Sequence, residues 1–137
     1  MQGIRSPQSA VATLSRSPFW RKFRLSRADG EIVREHGMGL IAAHARALVE
    51  ERLVPALSGN NGRQTPFRGH PIFAAQHATA TCCRRWMEKW HYIPTGRVLT
   101  LAERDYILTV ILIWIKANIR PHPIGRVIPS ASASASA

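Results

Sequence analysis

The stretch QTPFRGHPIFAAQHATATCCRRWMEKWH, residues 64–91, decides the fold, because it reads equally well as a long core helix and as a cluster of reactive side chains. It contains three of the six histidines and both cysteines of the 137-residue chain. Pro71 suits the first position of a helix, where the N–H group that proline lacks would have no partner in any case. We therefore predict a helix, or a pair of helices, from Pro71 to about His91.

Helical geometry divides this stretch into two faces, since a straight helix turns by about 100° per residue. One side collects Ile72, Ala75, Thr79, Cys82, Cys83, Trp86 and Trp90. The opposite side collects His77, Thr81, Arg84, Glu88 and His91, with His70 just before the helix on the same line. The apolar side should face the core, which predicts buried cysteines and an outward-facing row of histidine and arginine side chains.

This outward-facing row is the first candidate site. The start of a helix offers free amides and a partial positive charge, and both favour anions. We predict a ligand-binding face made of Arg68, His70, His77, Thr81, Arg84 and His91. Such a face would suit a phosphate, a nucleotide or an acidic metabolite, so the predicted partner is nucleic acid, another polyanion or a phosphorylated ligand.

A metal- or thiol-dependent enzyme centred on His77, Cys82, Cys83 and His91 is the alternative. Zinc or iron would need these side chains to converge on one point at about 2 Å, and one straight helix keeps them apart. A break in the segment HATAT, residues 77–81, would let them converge, as would ligands from His36, His44 or His122. A thiol nucleophile would instead pair a cysteine with a histidine base. No cofactor is predicted otherwise, and whether the protein is an enzyme stays open.

The remaining sequence predicts an all-α domain of about four helices. Ser26 is a suitable N-cap for a helix over 27–36, and Gly37 ends it. A second helix over 38–54 has apolar residues at steps of three and four, which predicts one buried stripe.

The last predicted helix, about 101–119, should lie at the centre of the domain. Thr100 and Glu103 form a capping box at its start. The run from Tyr106 to Ile115 is apolar nearly all round, but a membrane-spanning helix needs about twenty such residues. We therefore predict a buried core helix and no membrane partner.

The chain divides into a flexible arm (1–17), a helical domain (18–119) and a disordered tail (120–137). The net charge is +11, and eight units of it lie outside residues 29–119: residues 1–28 hold six Arg or Lys and no acid, and the tail holds two more. Basic flanks attract polyanions without reading their sequence, and this attraction falls steeply with salt. The only cysteines are adjacent and offer no disulfide framework, which favours a reducing, cytoplasmic setting.

The segment SPFWRKFRL, residues 17–25, combines aromatic and basic side chains. In one interpretation the aromatic rings dock on the core while Arg21, Lys22 and Arg24 face water. In the other, the rings stack on the bases of a single-stranded nucleic acid and the cations contact its phosphates.

Three segments carry a family resemblance: FRLSRADGEIVREHG (23–37), QTPFRGHPIFAAQHATATCCRRWMEKWHYIPTGRVLT (64–100) and DYILTVILIWI (105–115). They resemble an uncharacterised bacterial family of small cytoplasmic proteins, domain of unknown function 4186. The resemblance covers roughly residues 18–118 and implies a compact helical fold and a bacterial or phage origin, without an established activity. It also implies a cysteine at the position of Trp86 in relatives, so a metal site shared by the family would lack one ligand here.

Overall fold

The computed structural model describes residues 6–54, 65–66 and 69–119, and within these ranges the chain is helical, with no strand. The elements in chain order are α1 (Pro7–Arg16), a 3-10 helix (Trp20–Lys22), α2 (Arg27–Arg52), α3 (Pro71–Ala78), α4 (Arg84–His91) and α5 (Leu101–Asn118). The all-α prediction is confirmed, although five α-helices take the place of about four. None of the described helices combines the length and the apolar character needed to cross a membrane.

Helix α5 is the central element, and it packs against α1, α2 and α3. Its start is the predicted capping box: the Glu103 amide donates to the Thr100 hydroxyl at 3.1 Å, and the Thr100 amide donates to the Glu103 carboxylate at 2.9 Å. Its fully buried residues include Ile107, Ile111 and Ile115. Burying one such side chain stabilises the fold by about 1.5–3 kcal/mol, so α5 contributes much of the core energy.

Helix α2 has the predicted break, which the structure shows as a kink. The Ser26 hydroxyl accepts the Asp29 amide at 3.0 Å and caps the first half. Gly37 then adopts a φ of 82°, a left-handed value that costs glycine little because it has no Cβ. Beyond the kink, Ile41 and Ala45 are fully buried, as the apolar stripe predicts.

The prediction of a flexible arm over residues 1–17 is wrong for residues 7–16, which form α1. The Ser6 hydroxyl accepts the Ser9 amide at 3.0 Å, and Pro7 takes the first helical position. The buried residues Ala10, Val11 and Leu14 form one stripe that packs on the core. Small polar residues surround this stripe, so the composition of the segment does not indicate a helix. Residues 1–5 and the predicted tail, 120–137, lie outside the described residues.

Of the two possibilities predicted for residues 71–91, the structure shows the pair of helices, because the chain turns between α3 and α4; the two-face division, which assumed one straight helix, does not hold. The Thr79 hydroxyl donates to the Ala75 carbonyl at 2.7 Å, and the Thr81 amide donates to the Gln76 carbonyl at 2.9 Å. The second of these bonds takes the Gln76 carbonyl, which a continuing helix would pair with the amide of Ala80. Ala80 has a φ of 59°, a left-handed conformation that costs an alanine about 1–2 kcal/mol and that burial on all sides maintains.

Candidate functional site

The turn between α3 and α4 carries the predicted outward face into the interior. His77 is 9% exposed, Arg84 is 2% exposed, and Thr81 and His91 are fully buried. The predicted exposed row therefore does not exist: four of its six members are core residues. His70 is half-buried at the start of α3, and Arg68 lies outside the described residues.

His91 joins the turn to the central helix. Its Nε2 lies 2.7 Å from the carbonyl oxygen of Thr79, which can only accept, so the proton of a neutral ring is on Nε2. Its Nδ1 lies 2.7 Å from the hydroxyl of Tyr106 and therefore accepts that hydrogen. Both ring nitrogens are thus engaged in structural hydrogen bonds between the turn and α5.

His77 holds the segment at residues 65–66 against α3. Its Nε2–H group donates to two carbonyl oxygens, that of Thr65 at 3.2 Å and that of Pro66 at 3.0 Å. The Thr65 hydroxyl in turn donates to the carbonyl of Cys82 at 2.7 Å. The Phe23 ring stacks on the His77 ring, with the two centroids 6.4 Å apart and the ring planes inclined by 19°.

Arg84 connects segments that are distant in sequence. Its guanidinium donates to four backbone carbonyls: Leu53 at 3.0 Å, Val54 at 3.3 Å, Pro94 at 2.8 Å and Arg97 at 2.7 Å. Burial lowers the pKa of Arg84, and the carboxylate of Glu103 opposes that effect. Since an arginine keeps its proton in proteins, Arg84 is a buried cation that fixes the end of α2 to the loop after α4.

The two cysteines are buried, as predicted, with Cys82 7% exposed and Cys83 fully enclosed. A hydrogen bond with Cys83, together with burial, raises the pKa of the Cys82 thiol. A protonated thiol is a weak nucleophile and a weak metal ligand. Within the described ranges, no group of three or more His, Cys, Asp or Glu side chains is arranged to hold a metal ion. The alternative site at His77, Cys82, Cys83 and His91 therefore gains no support from the geometry.

We call these contacts of Thr65, His77, Thr79, Thr81, Arg84 and His91 the polar joint. It accounts for the unusual residue types of the stretch 64–91 without a ligand. Each buried polar group there would cost about 1–3 kcal/mol if it lacked its partner, so the residue types are strongly constrained by the fold.

A second feature, which helical geometry alone does not reveal, is a cleft of about 460 Å³ beside the 3-10 helix. We call it the basic cleft. Its lining includes Trp20, Arg21, Lys22, Arg24, Trp114 and Asn118, and no acidic residue is among its described lining residues. The C-terminal ends of α1, α3 and α5 meet around it, through Ser15, Ala78 and Asn118. The segment SPFWRKFRL contains the cations of this cleft. The fold brings Trp114 and Asn118 of α5 next to them.

The first interpretation of that segment is confirmed for Trp20, whereas stacking on nucleic-acid bases stays a prediction. Trp20 is 6% exposed and packs edge-to-face against Trp86 at 5.5 Å and Trp90 at 5.6 Å between centroids, so it docks on the core. Phe19 is 52% exposed, and the Lys22 ammonium lies 4.1 Å from its ring centroid. An exposed aromatic ring therefore lies next to the cations of the basic cleft.

A further cleft of about 550 Å³ lies on the other side of Phe23 and Arg24, between α2 and α3. His77 and Gly69 line it, so it occupies part of the place predicted for the anion face. Asp29 lines it as well, and its carboxylate opposes an anion. The basic cleft is therefore the better place for a negatively charged partner.

Fold and clefts together define a small all-α domain whose accessible candidate site is basic and aromatic. The chain belongs to the family described as a domain of unknown function (DUF4186), whose model matches residues 8–116. The resemblance predicted from three segments is thus confirmed, and the match begins within α1. No solved structure matches the chain.

Proposed function

We propose that this protein binds single-stranded nucleic acid through the basic cleft, and that it does so in the cytoplasm. The observation that carries the proposal is the grouping of Arg21, Lys22 and Arg24 around a cleft with aromatic walls. The anionic partner expected from the sequence is kept, while the site moves from the buried polar joint to the 3-10 helix. The two free, buried cysteines suit a reducing compartment.

The charge balance of the basic cleft favours an anion. The ends of α1, α3 and α5 each bring a partial charge of about −0.5, which sums to about −1.5. Arg21, Lys22 and Arg24 bring three full positive charges. About +1.5 is left over, so the cations do more than neutralise the helix ends.

The size and the aromatic walls of the cleft favour a single strand. Its volume of about 460 Å³ lies within the ~300–1,000 Å³ of pockets that hold small organic ligands. Such a space admits a base or one nucleotide but not a duplex. Phe19 lies beside the cleft with its ring 52% exposed, and one base stacked on an aromatic ring contributes about 1–3 kcal/mol in proteins that bind single strands.

The proposal is tested by fluorescence anisotropy with a short labelled thymidine oligonucleotide at several salt concentrations. Each phosphate contact on a single strand contributes a slope of about −0.7 to log K against log salt, so three cations predict a slope of about −2. We expect tighter binding to the single strand than to a duplex of the same length, because a duplex cannot offer an unstacked base.

Two matched ligands complete this experiment. Inorganic phosphate should compete weakly, and thymidine monophosphate should compete better, since it adds a base. An affinity that does not change with salt would contradict the proposal, as would equal affinity for duplex and single strand.

A further inference from the structure

Helix α3 has an unusual N-cap. His70 takes the place where Ser, Thr, Asp or Asn is usual, and its Nδ1 accepts the hydrogen of the Ile72 amide at 3.1 Å. An imidazole nitrogen accepts only through a free lone pair. The ring must therefore be neutral, with its proton on Nε2, for the cap to exist.

Two more imidazoles lie next to this cap. The ring centroids of His70 and His44 are 5.8 Å apart, and those of His44 and His36 are 5.9 Å apart. His36 lies before the kink at Gly37 and His44 after it, so the row joins both halves of α2 to the start of α3. We call these three residues the histidine row.

The histidine row does not have the chemistry of a metal site. A metal bound at Nε2 of His70 would require the proton to move to Nδ1, and the cap would be lost. The described side chains also include no convergent group of three ligands. The row is sensitive to protons for the same reason: Nε2 of His70 already carries a proton, so a second proton can only enter at Nδ1.

We propose that the contact between α2 and α3 opens on acidification, because protonation of His70 at Nδ1 removes the N-cap of α3. Three effects act together. The Ile72 amide loses its acceptor, a positive charge appears at the positive end of the α3 dipole, and that charge faces His44. All three disfavour the closed arrangement once the ring is charged.

Burial and the surrounding charges together lower the pKa of His70. Burial lowers it most, His44 lowers it next, Asp29 raises it, and His36 lowers it. The ring centroids of Phe73 and His70 are 6.0 Å apart. The guanidinium of Arg52 lies 5.5 Å from the Phe73 ring centroid. The neutral form is therefore the form that the native structure favours.

The effect on stability follows from the sign of this shift. The pKa of His70 is lower in the folded chain than its ordinary value of about 6.5, so the unfolded chain binds the proton more tightly. The contribution of the cap is complete above pH ~6.5 and is lost as the pH falls from there through the lowered pKa. The urea midpoint of the wild-type chain should fall over that window.

The test is a pH titration of the full chain by NMR, with ¹⁵N labelling. We expect the Ile72 amide signal to move with the same midpoint as the His70 ring, below ~6.5. Hydrogen exchange at that amide should accelerate about tenfold beyond its intrinsic pH dependence once His70 is charged. If the Ile72 signal stays still while His70 titrates, or if His70 titrates at or above ~6.5, the proposal is overturned.

Matched variants isolate the cap from the rest of the row. His70→Asn keeps an N-cap that cannot be protonated, so the Ile72 response should vanish; His70→Ser serves the same purpose if the first variant does not fold. His36→Gln removes a neighbouring imidazole but leaves the cap, so the response should persist with a higher midpoint. Asp29→Asn should lower the midpoint. A response that persists in His70→Asn would contradict the proposal.

Discussion

The polar joint and the basic cleft use similar residue types for opposite purposes. In the polar joint, Arg84 is 2% exposed and donates to four backbone carbonyls. In the basic cleft, Arg21 and Lys22 are exposed and line an open space. The first set of polar groups donates to the protein's own backbone, whereas the cations of the second face an open space.

This difference shows how a sequence that looks reactive can be structural. The stretch 64–91 holds an unusual density of His, Cys and Arg, but its hydrogen bonds close on the backbone. The segment 17–25 looks plainer, yet it presents cations beside an exposed ring. A high density of His, Cys and Arg along the chain is therefore not by itself evidence of a binding site.

The largest effect should come from Arg84→Met. This change leaves two buried and two partly buried carbonyls without their charged donor, and the two buried ones alone cost about 1–3 kcal/mol each, or about 2–6 kcal/mol together. The matched control is Arg85→Met, because Arg85 is exposed on the same helix. Urea unfolding should show a loss of this size for Arg84 and a change within about 0.5 kcal/mol for Arg85. Equal effects of the two changes would remove the structural role assigned to Arg84.

A smaller effect should come from Tyr106→Phe. The variant deletes the hydroxyl that donates to Nδ1 of His91 but keeps the packing of the ring on α5. A buried acceptor without its donor costs about 1–3 kcal/mol, so the free energy of unfolding should fall by that amount. Tyr92→Phe, at a residue that is 51% exposed, is the control and should change stability less. Unfolding curves that coincide with the wild type for Tyr106→Phe would mean that this bond does not hold the polar joint together.

The parts of the fold that the sequence predicts rest on local contacts. The Thr100–Glu103 capping box, the Ser26 cap and the kink at Gly37 each depend on residues within one helical turn. Helix α1 was missed although its signal is local too, namely Ser6 and Pro7 followed by a spaced apolar stripe.

The candidate site could not be predicted in the same way. A break at HATAT could be anticipated, but the burial of the predicted face depends on partners far along the chain: Thr65 reaches Cys82, and Arg84 reaches Leu53 across 31 positions. Periodicity describes one helix at a time and carries no information about such partners. The cations of the basic cleft are visible in the sequence, but its walls at Trp114 and Asn118 come from α5 at the other end of the fold.

The smallest effect on stability, and the most direct test of binding at the basic cleft, comes from the double variant Arg21→Ala, Lys22→Ala. Its control is Arg34→Ala, Arg46→Ala, which removes the same charge from exposed positions on α2. Both should unfold within about 1 kcal/mol of the wild type, since exposed substitutions change stability little. We expect the cleft variant to bind a thymidine oligonucleotide at least tenfold more weakly, a loss of about 1.4 kcal/mol, while the control stays close to the wild type. Equal affinities of the two variants would contradict nucleic-acid binding at the basic cleft.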